Sequence, residues 1–489
     1  MSKPFIKLFS TVNGYYVFDV NTNTITKISK NLYLHLFNQN NEGYNSENVS
    51  NELEKLKSQG LLSDYRAHKI THLPLEVIRG MLDNYTNILV LQLTQRCNLR
   101  CSYCAYTINT SEKHHRKHSN NDMTWEVAQK AVDFYVEHSK KVKFPSIGFY
   151  GGEPLLKFDL LKRIVLYAEE KFRGKTIDFR ITTNGTLLTE EVICFFEKHN
   201  VLLTISLDGN RDIHNEHRRF AANGKGSFDV IKNNLTRMKK EHPSYLSKCS
   251  INMVMDAQNK FEEINKFFLE DKEDLGIKNI MTTEIDDLFS EQKNVYSNSY
   301  INGRSYQYFL KYLEYFGRIK NGELSDIVDF MTFQDINAAL DFSRMECLSH
   351  EEVVGGCCIP GQLHLLCDYK GDFLPCERVN EKNPMMKIGN IDDGYNYNQI
   401  ERLLCLHEEN EKKCLQCWAS RNCDLCVRHM NNEGKIVFTD GMSRYCMASK
   451  RHLEDTIRNR IFMDEIFEIY RKQIGGENFE QKSTYYLSI

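Results

Sequence analysis

The sequence predicts an α/β protein, a parallel sheet flanked by helices, with a winged-helix-like module before it and a cysteine-rich region after it. Three observations predict this. From residue 88, apolar strand patterns alternate with helical ones six times. The first 80 residues carry hairpin and helix signals of their own, and 11 of the 16 cysteines fall between residues 346 and 450. Regular strand–helix alternation builds a sheet whose crossover helices cover its faces, either doubly wound or a partial barrel. At 489 residues the chain has room for about three domains.

The N-terminal unit, residues 1–80, begins with apolar stretches at 5–12 and 15–20 around Asn13-Gly14, a strong hairpin signal. Asn21-Thr22-Asn23 reverses the chain into residues 24–28, completing a three-stranded meander. Helical patterns follow at 31–37 and 47–59, the second ending at Gly60. Many winged helices bind DNA, but 9 Lys/Arg against 7 Asp/Glu in this unit is too weak a positive balance for that.

In the central unit, residues 81–290, strands are expected at 88–93, 146–150, 177–182, 202–207, 250–255 and 279–285, with helices near 124–138, 159–173, 189–199, 227–241 and 261–274. Residues 291–346 read as a helical insert or bridge. Residues 347–450 have weak periodicity and many cysteines, and residues 451–489 hold an amphipathic helix and a tail beyond Gly475-Gly476.

Lys plus Arg is 63 and Asp plus Glu is 66, a net charge of −3. This excludes a duplex-binding surface or an anionic membrane as the main partner, so neither nucleic acid nor membrane is expected. No stretch approaches the roughly 20 apolar residues of a membrane span, and Met1-Ser-Lys-Pro-Phe begins no signal peptide, so a cytoplasmic protein is expected. Cysteines at this density in a reducing compartment point to metal rather than to disulfides.

The first cysteine group, Cys97-Asn-Leu-Arg-Cys101-Ser-Tyr-Cys104, follows the first strand of the alternating region. Three thiolates on one loop can hold three irons of a [4Fe–4S] cube and leave the fourth open. Zinc is the alternative, but structural zinc takes four ligands and no fourth cysteine is near. His114, His115 and His118 could supply one, but they sit in a Lys- and Asn-rich stretch that reads as a solvated loop.

Cys-x3-Cys-x2-Cys with an aromatic residue, Tyr103, before the last cysteine resembles the cluster motif of the radical S-adenosylmethionine superfamily. The resemblance implies that the open iron takes the amino and carboxylate groups of S-adenosylmethionine and that the reduced cluster cleaves it to a 5′-deoxyadenosyl radical. Gly151-Gly152-Glu153-Pro154 matches the family's glycine-rich segment, whose backbone and Glu receive the methionine amino group. Thr182-Thr183-Asn184-Gly185 and Ser206-Leu207-Asp208-Gly209 end the next two strands. Arg218 stands where similar enzymes touch the cofactor carboxylate. Tyr103, Gly151, Gly152, Glu153, Asn184, Ser206, Asp208 and Arg218 are therefore the expected cofactor contacts. The four motifs share the C-terminal ends of four successive strands, where a barrel builds its active site. The implied fold is a partial (β/α)6 barrel.

Residues 358–446 resemble the SPASM extension of peptide- and protein-modifying members. Cys358 precedes Gly371-Asp-Phe-Leu-Pro-Cys376, then come Cys414-Leu-Gln-Cys417-Trp-Ala-Ser-Arg-Asn-Cys423 and finally Cys446. One departure is Cys426, which follows Cys423 at x2 rather than x3. The resemblance implies one auxiliary [4Fe–4S] cluster on Cys414, Cys417, Cys423 and Cys446, and another on Cys358, Cys376 and Cys426. The latter's fourth position falls to Cys347, to Cys357, or to an open site. A pair of zinc ribbons is the alternative for the region. Cys194, Cys249, Cys367 and Cys405 read as small core residues. Glu377 occupies the position of a catalytic Asp in similar sulfatase-maturing enzymes.

The N-terminal unit resembles the recognition element of ribosomal peptide maturases, which binds a leader peptide as an added strand. Together these resemblances imply three [4Fe–4S] clusters, S-adenosylmethionine, a precursor peptide and a reducing donor such as flavodoxin or ferredoxin. They imply an enzyme forming thioether bonds from Cys sulfur to carbon, of the sactipeptide or ranthipeptide type. The alternatives are formylglycine formation on a sulfatase, carbon–carbon crosslinking, or a non-catalytic zinc or DNA-binding protein.

Overall fold

A computed structural model describes residues 3–38, 47–106, 116–277, 279–285, 295–320, 324, 326–356, 358–430 and 443–474. His114, His115, Cys357 and the tail beyond Gly475-Gly476 lie outside these residues.

The main sheet begins with β5 (Ile88–Thr94), whose ILVLQLT sequence is buried over nearly its whole length. Parallel partners follow in chain order: β6 (Ser146–Gly151), β7 (Asp178–Thr183), β8 (Val201–Ser206), β9 (Ser250–Met255) and β10 (Asn279–Glu284). Because spatial order follows sequence order without reversal, these six strands are a barrel wall and not a doubly wound sheet. The observed strands fall within one residue or so of those expected.

Helices cover the outside: α4 (Trp125–His138), α5 (Phe158–Lys171), α6 (Glu190–Lys198), α8 (Phe228–Glu241) and α10 (Phe261–Leu275). Thr124 and Thr189 cap α4 and α6 by accepting the amides of Val127 and Val192. Helix α4 buries Ala128, Ala131, Val132 and Tyr135 against the strands. The Tyr135 hydroxyl accepts from Ser146 N at 2.8 Å and donates to Asn87 O at 2.6 Å, tying the starts of β5 and β6. Each such fully buried large side chain contributes about 1.5–3 kcal/mol. On α6 the buried residues are Val192, Ile193 and Phe196. Cys194 points away and is exposed, which corrects its reading as a core residue. Cys249 and Cys367 are buried as expected, while Cys405 is only half-buried.

The cysteine-rich region continues the main sheet. Strand β12 (His364–Cys367) pairs in parallel with the free edge of β5, Leu366 opposite Val90, and leads through antiparallel β13 (Asp372–Leu374), β14 (Gly389–Asn390) and β15 (Gly394–Tyr395). Because β13 runs antiparallel to β12, Cys376 just after it falls back toward the start of β12, the side from which Cys358 enters the sheet. Helices α11 (Asn298–Tyr315) and α12 (Asp326–Leu340) form the insert, and α15 (Arg444–Ile474) closes the described chain.

The N-terminal meander is β1 (Ile6–Ser10), β2 (Tyr15–Asp19) and β3 (Thr24–Ile28), antiparallel in that order. One face packs on α1 (Lys30–Phe37) and α2 (Glu47–Ser58) through Val17, Ile28, Leu32 and Leu56. The other, with Phe9, Tyr16 and Phe18, packs on α15 and on Trp418. Buried Glu465 of α15 accepts from Thr11, Asn13 and, at 2.7 Å, Tyr16. Among the described residues no helix is long and apolar enough to cross a membrane.

Candidate active site

The site lies at the C-terminal ends of β5 to β8. The turn after β6 holds the first cysteine loop: Gly152 N donates to Thr94 O at 2.9 Å and Glu153 N to Arg96 O at 2.8 Å. A Cβ on Gly151, whose φ is +140°, would lie 2.2 Å from Thr94 O, and one on Gly152 2.1 Å from Arg96 O. Only glycine allows this approach.

Glu153 is buried, and its carboxylate accepts from Leu155 N, Thr183 Oγ1 and Asn184 N at 2.7–3.0 Å. It is a tie between strand ends. Three donors leave the carboxylate one of its roughly four acceptor positions, so the expected contact with a cofactor amino group stays open beside this structural tie. Asn184 donates to Asn98 Oδ1 at 2.8 Å and lies 3.9 Å from Cys97 Sγ, so the end of β7 touches the cysteine loop directly. Ser206 ends β8, buried.

Asp208 and Arg218 form a buried bidentate ion pair, Nε to Oδ2 at 2.7 Å and Nη2 to Oδ1 at 3.1 Å. Asp208 also accepts from Val254 N and from the hydroxyl of Tyr103. The Arg218 guanidinium lies over the Tyr103 ring, and its charge holds the Cys101 thiol down against burial. Tyr103 thus grips the loop to β8 through its hydroxyl while its ring carries Arg218.

Cys97, Cys101 and Cys104 converge. Burial, with smaller contributions from the neighbouring thiols, pushes the Cys97 thiol up to about 12 and Cys101 to about 11, against the lowering by Leu99 N and by Arg218. Leu99 N donates to Cys97 Sγ at 3.4 Å. Buried thiols that raise one another's pKa are unfavourable as bare anions, and an iron cluster that replaces their protons fits this donor set. The described His118 is turned elsewhere, its Nδ1 on Gln95 O at 3.2 Å.

The remaining cysteines form two groups. Burial, Glu377 and the neighbouring Cys426 and Cys358 push Cys376 up to about 12. Burial and then Cys417, Cys423 and Cys446 do the same to Cys414. Backbone and side-chain donors already face these sulfurs: Arg378 N lies 3.4 Å from Cys376 Sγ, and Ser449 Oγ and His407 Nε2 each 3.7 Å from Cys423 Sγ. Such donors are what a cluster thiolate needs. Cys347 is exposed. It lines a cavity of about 1070 Å³ against the N-terminal module, with Asn21, Ser63 and Tyr65.

Glu377 accepts from or faces His364 Nδ1 at 3.0 Å. Burial alone would raise its pKa, but the hydrogen bond and charge of His364 outweigh this and hold the carboxyl below its ordinary value. The charge of the carboxylate also raises Cys358, Cys376 and Tyr150.

Sequence reasoning missed a buried polar network beside it. Arg116 pairs with Glu381 at 2.7 Å and donates to Tyr150 OH at 2.6 Å and to Glu377 O. Gln92 donates to Glu381 at 2.6 Å and to Tyr106 OH at 3.0 Å. Gln92 was the available signal, a lone amide in an otherwise apolar strand. Arg116 gave none, since its stretch reads as solvated.

Residues 91–270 match the Radical SAM superfamily, and this part of the chain is a radical SAM domain, which implies S-adenosylmethionine and a [4Fe–4S] cluster. The chain is 32% identical over 181 residues to a serine-type anaerobic sulfatase-maturating enzyme of Bacteroides thetaiotaomicron, covering 36% of this chain and 42% of that one. It is 26% identical over 232 residues to the radical SAM cyclopropyl synthase TigE of Paramaledivibacter caminithermalis, covering 45% of each. The matches span less than half the length of these relatives. The fold is similar to that of native anSMEcpe with bound AdoMet, with a TM-score of 0.57 and 21% identity over 77% of this chain and 98% of that one.

Proposed function

We propose that the chain is a radical S-adenosylmethionine maturase that installs thioether crosslinks, Cys sulfur to carbon, in a ribosomally made precursor peptide. The observation that carries this reading is the N-terminal module. Its edge strand β3 is bounded on one side only by β2, and its sheet packs on Trp418 between two proposed auxiliary ligands. A leader peptide adding a strand to residues 1–80 would leave the following core peptide free to thread into the barrel mouth.

When bound, S-adenosylmethionine on the first cluster supplies hydrogen-atom abstraction from an unactivated C–H bond, and the auxiliary clusters take up the electron left behind. Cys97, Cys101 and Cys104 hold the first cluster. Cys414, Cys417, Cys423 and Cys446 hold the outer auxiliary cluster, and Cys358, Cys376 and Cys426 the nearer one. The nearer cluster's fourth ligand would be Cys347, Cys357 or, at an open site, a substrate thiolate. Gly151, Gly152, Asn184, Ser206 and Arg218 bind and orient the cofactor. Glu377, held ionised by His364, receives the thiol proton. The balance closes: C–H and S–H break, C–S forms, one hydrogen leaves as an atom, one as a proton, and one electron leaves. Flavodoxin or ferredoxin supplies the reducing electron for cleavage.

The names of the relatives favour a second reading, formylglycine formation on a sulfatase. Co-expression with the short open reading frames flanking the gene separates the two. Each thioether removes two hydrogen atoms, about 2 Da, from the peptide and blocks one thiol from alkylation. An aldehyde-reactive product, or an unchanged peptide mass with every small flanking frame, contradicts thioether formation.

A further inference from the structure

A second kind of metal site stands outside the cluster cysteines. We propose that His72, Cys405 and Glu408 bind one divalent zinc ion that fastens the segment before the barrel to the auxiliary-cluster region.

The three donor atoms lie within 4.8 Å of one another although they come from two distant parts of the chain. His72 follows β4 (Lys69–Thr71), while Cys405 and Glu408 lie on the 3-10 turn that continues α13 (Tyr397–Leu404). Residues three apart on a 3-10 turn eclipse one another, so Cys405 and Glu408 present their side chains to the same side. Glu401, one helical turn earlier, shares that side, with Oε1 3.7 Å from His72 Nε2.

The ring orientation points to a ligand. His72 Nδ1 lies 2.7 Å from Leu73 O. A carbonyl only accepts, so Nδ1 carries a proton, which leaves Nε2 as the nitrogen facing the Glu401 carboxylate. A histidine whose far nitrogen is fixed on a backbone carbonyl is the usual arrangement for a zinc-ligating ring. The Ile70 amide donates to Glu411 Oε1 at 2.9 Å and holds the His72 strand against the turn without using any proposed ligand.

The donor set is one imidazole, one thiol and one carboxylate, with Glu401 beside the fourth position. Such a mixed set of borderline and hard donors suits zinc. On binding, zinc takes the place of the Cys405 proton, which goes to water, and no electron moves. Another triplet, Glu190, Cys194 and His242, is a poorer candidate. Both of its histidine nitrogens are already bonded to carboxylates, at 2.9 Å to Glu190 and 2.6 Å to Glu197.

The turn matters beyond fastening. It also carries His407, which faces Cys423 Sγ at 3.7 Å, so a metal on Cys405 and Glu408 fixes the turn that delivers this ring. The proposal does not depend on the radical reading of the chain.

The test uses full-length protein loaded anaerobically with iron and sulfide, then titrated with zinc chloride. Metal content is read by mass spectrometry, and Cys405 alkylation by peptide mapping. The expected result is one zinc per chain with iron unchanged, and Cys405 alkylation slowed at least about tenfold by zinc. Cys405→Ser and His72→Ala should each lose that zinc and keep their iron, while His242→Ala keeps both. Should Cys405→Ser lose iron, His72→Ala carries the comparison. No zinc uptake by the iron-loaded protein, or equal uptake by wild type and His72→Ala, overturns the site.

Discussion

Replacing Cys97, Cys101 and Cys104 together by Ala abolishes cleavage of S-adenosylmethionine and removes about 4 of about 12 irons per chain. Hydrogen abstraction needs an iron with an open position, and these three thiols are the set that converges beside the glycine turn and Arg218. The other two cysteine groups lie on loops of their own, so their clusters and their visible absorbance remain. The measurement is 5′-deoxyadenosine release with dithionite, alongside iron content. Cleavage retained by the triple variant would mean that the radical chemistry sits elsewhere. The opposite pattern, cleavage lost with all the iron gone, would mean that the three loops form one metal-dependent unit.

The second large effect is on the buried pair beneath the cofactor site. Asp208→Ala leaves the Arg218 guanidinium buried without a counter-charge and takes the acceptor from Tyr103 and Val254. Removing one partner of a buried pair costs about 3–5 kcal/mol, so the variant melts well below wild type. It also frees Arg218 from the orientation that holds it over the Tyr103 ring, so cofactor binding falls with stability. The double variant Asp208→Leu, Arg218→Met separates the two effects. It removes both charges and fills the space, so most of the melting temperature returns, while cofactor binding does not. Thermal melts and equilibrium binding of S-adenosylmethionine read the two quantities. If Asp208→Ala melted like wild type, the pair would not be the buried anchor described.

Much of this site was legible in the sequence because its parts end strands. The ILVLQLT run, the Gly151-Gly152 turn and Asn184 all follow apolar stretches whose period and length mark them as buried strands. The junction of the cysteine-rich region with the barrel was not legible. β12 to β15 are two to four residues long, too short to show a period, and their place is set by pairing with β5 far back in the chain. Arg116 was hidden for the opposite reason. A cation among lysines and histidines reads as solvated, and only its buried partners Glu381 and Tyr150, 34 to 265 residues away, make it an interior residue. Glu153 shows a third limit. The motif marks the residue, but how its carboxylate is divided between a ligand and its own strand ends depends on Thr183 and Asn184, which spacing alone does not aim. Cys194 and Cys405 were both read from periodicity as core; on α6 the buried face is fixed by Val192, Ile193 and Phe196, and Cys405 sits on the 3-10 turn where the helical period lapses.

The docking of the N-terminal module explains why it would belong to the chemistry rather than merely precede it. Asn23 accepts from Asn422 at 2.8 Å, Asn21 O from Arg421 at 2.9 Å, and Phe18 meets Trp418 edge-on. Residues 418, 421 and 422 all lie between Cys417 and Cys423, so the module rests on the loop proposed to hold the outer cluster.

The most direct test of the account is the metal and sulfide content of the full-length chain purified without oxygen. Three [4Fe–4S] clusters predict about 12 iron and about 12 acid-labile sulfide per chain, with S-adenosylmethionine altering the signal of one reduced cluster only. Two or more zinc ions with no sulfide would contradict it and return the cysteine-rich region to a pair of zinc ribbons.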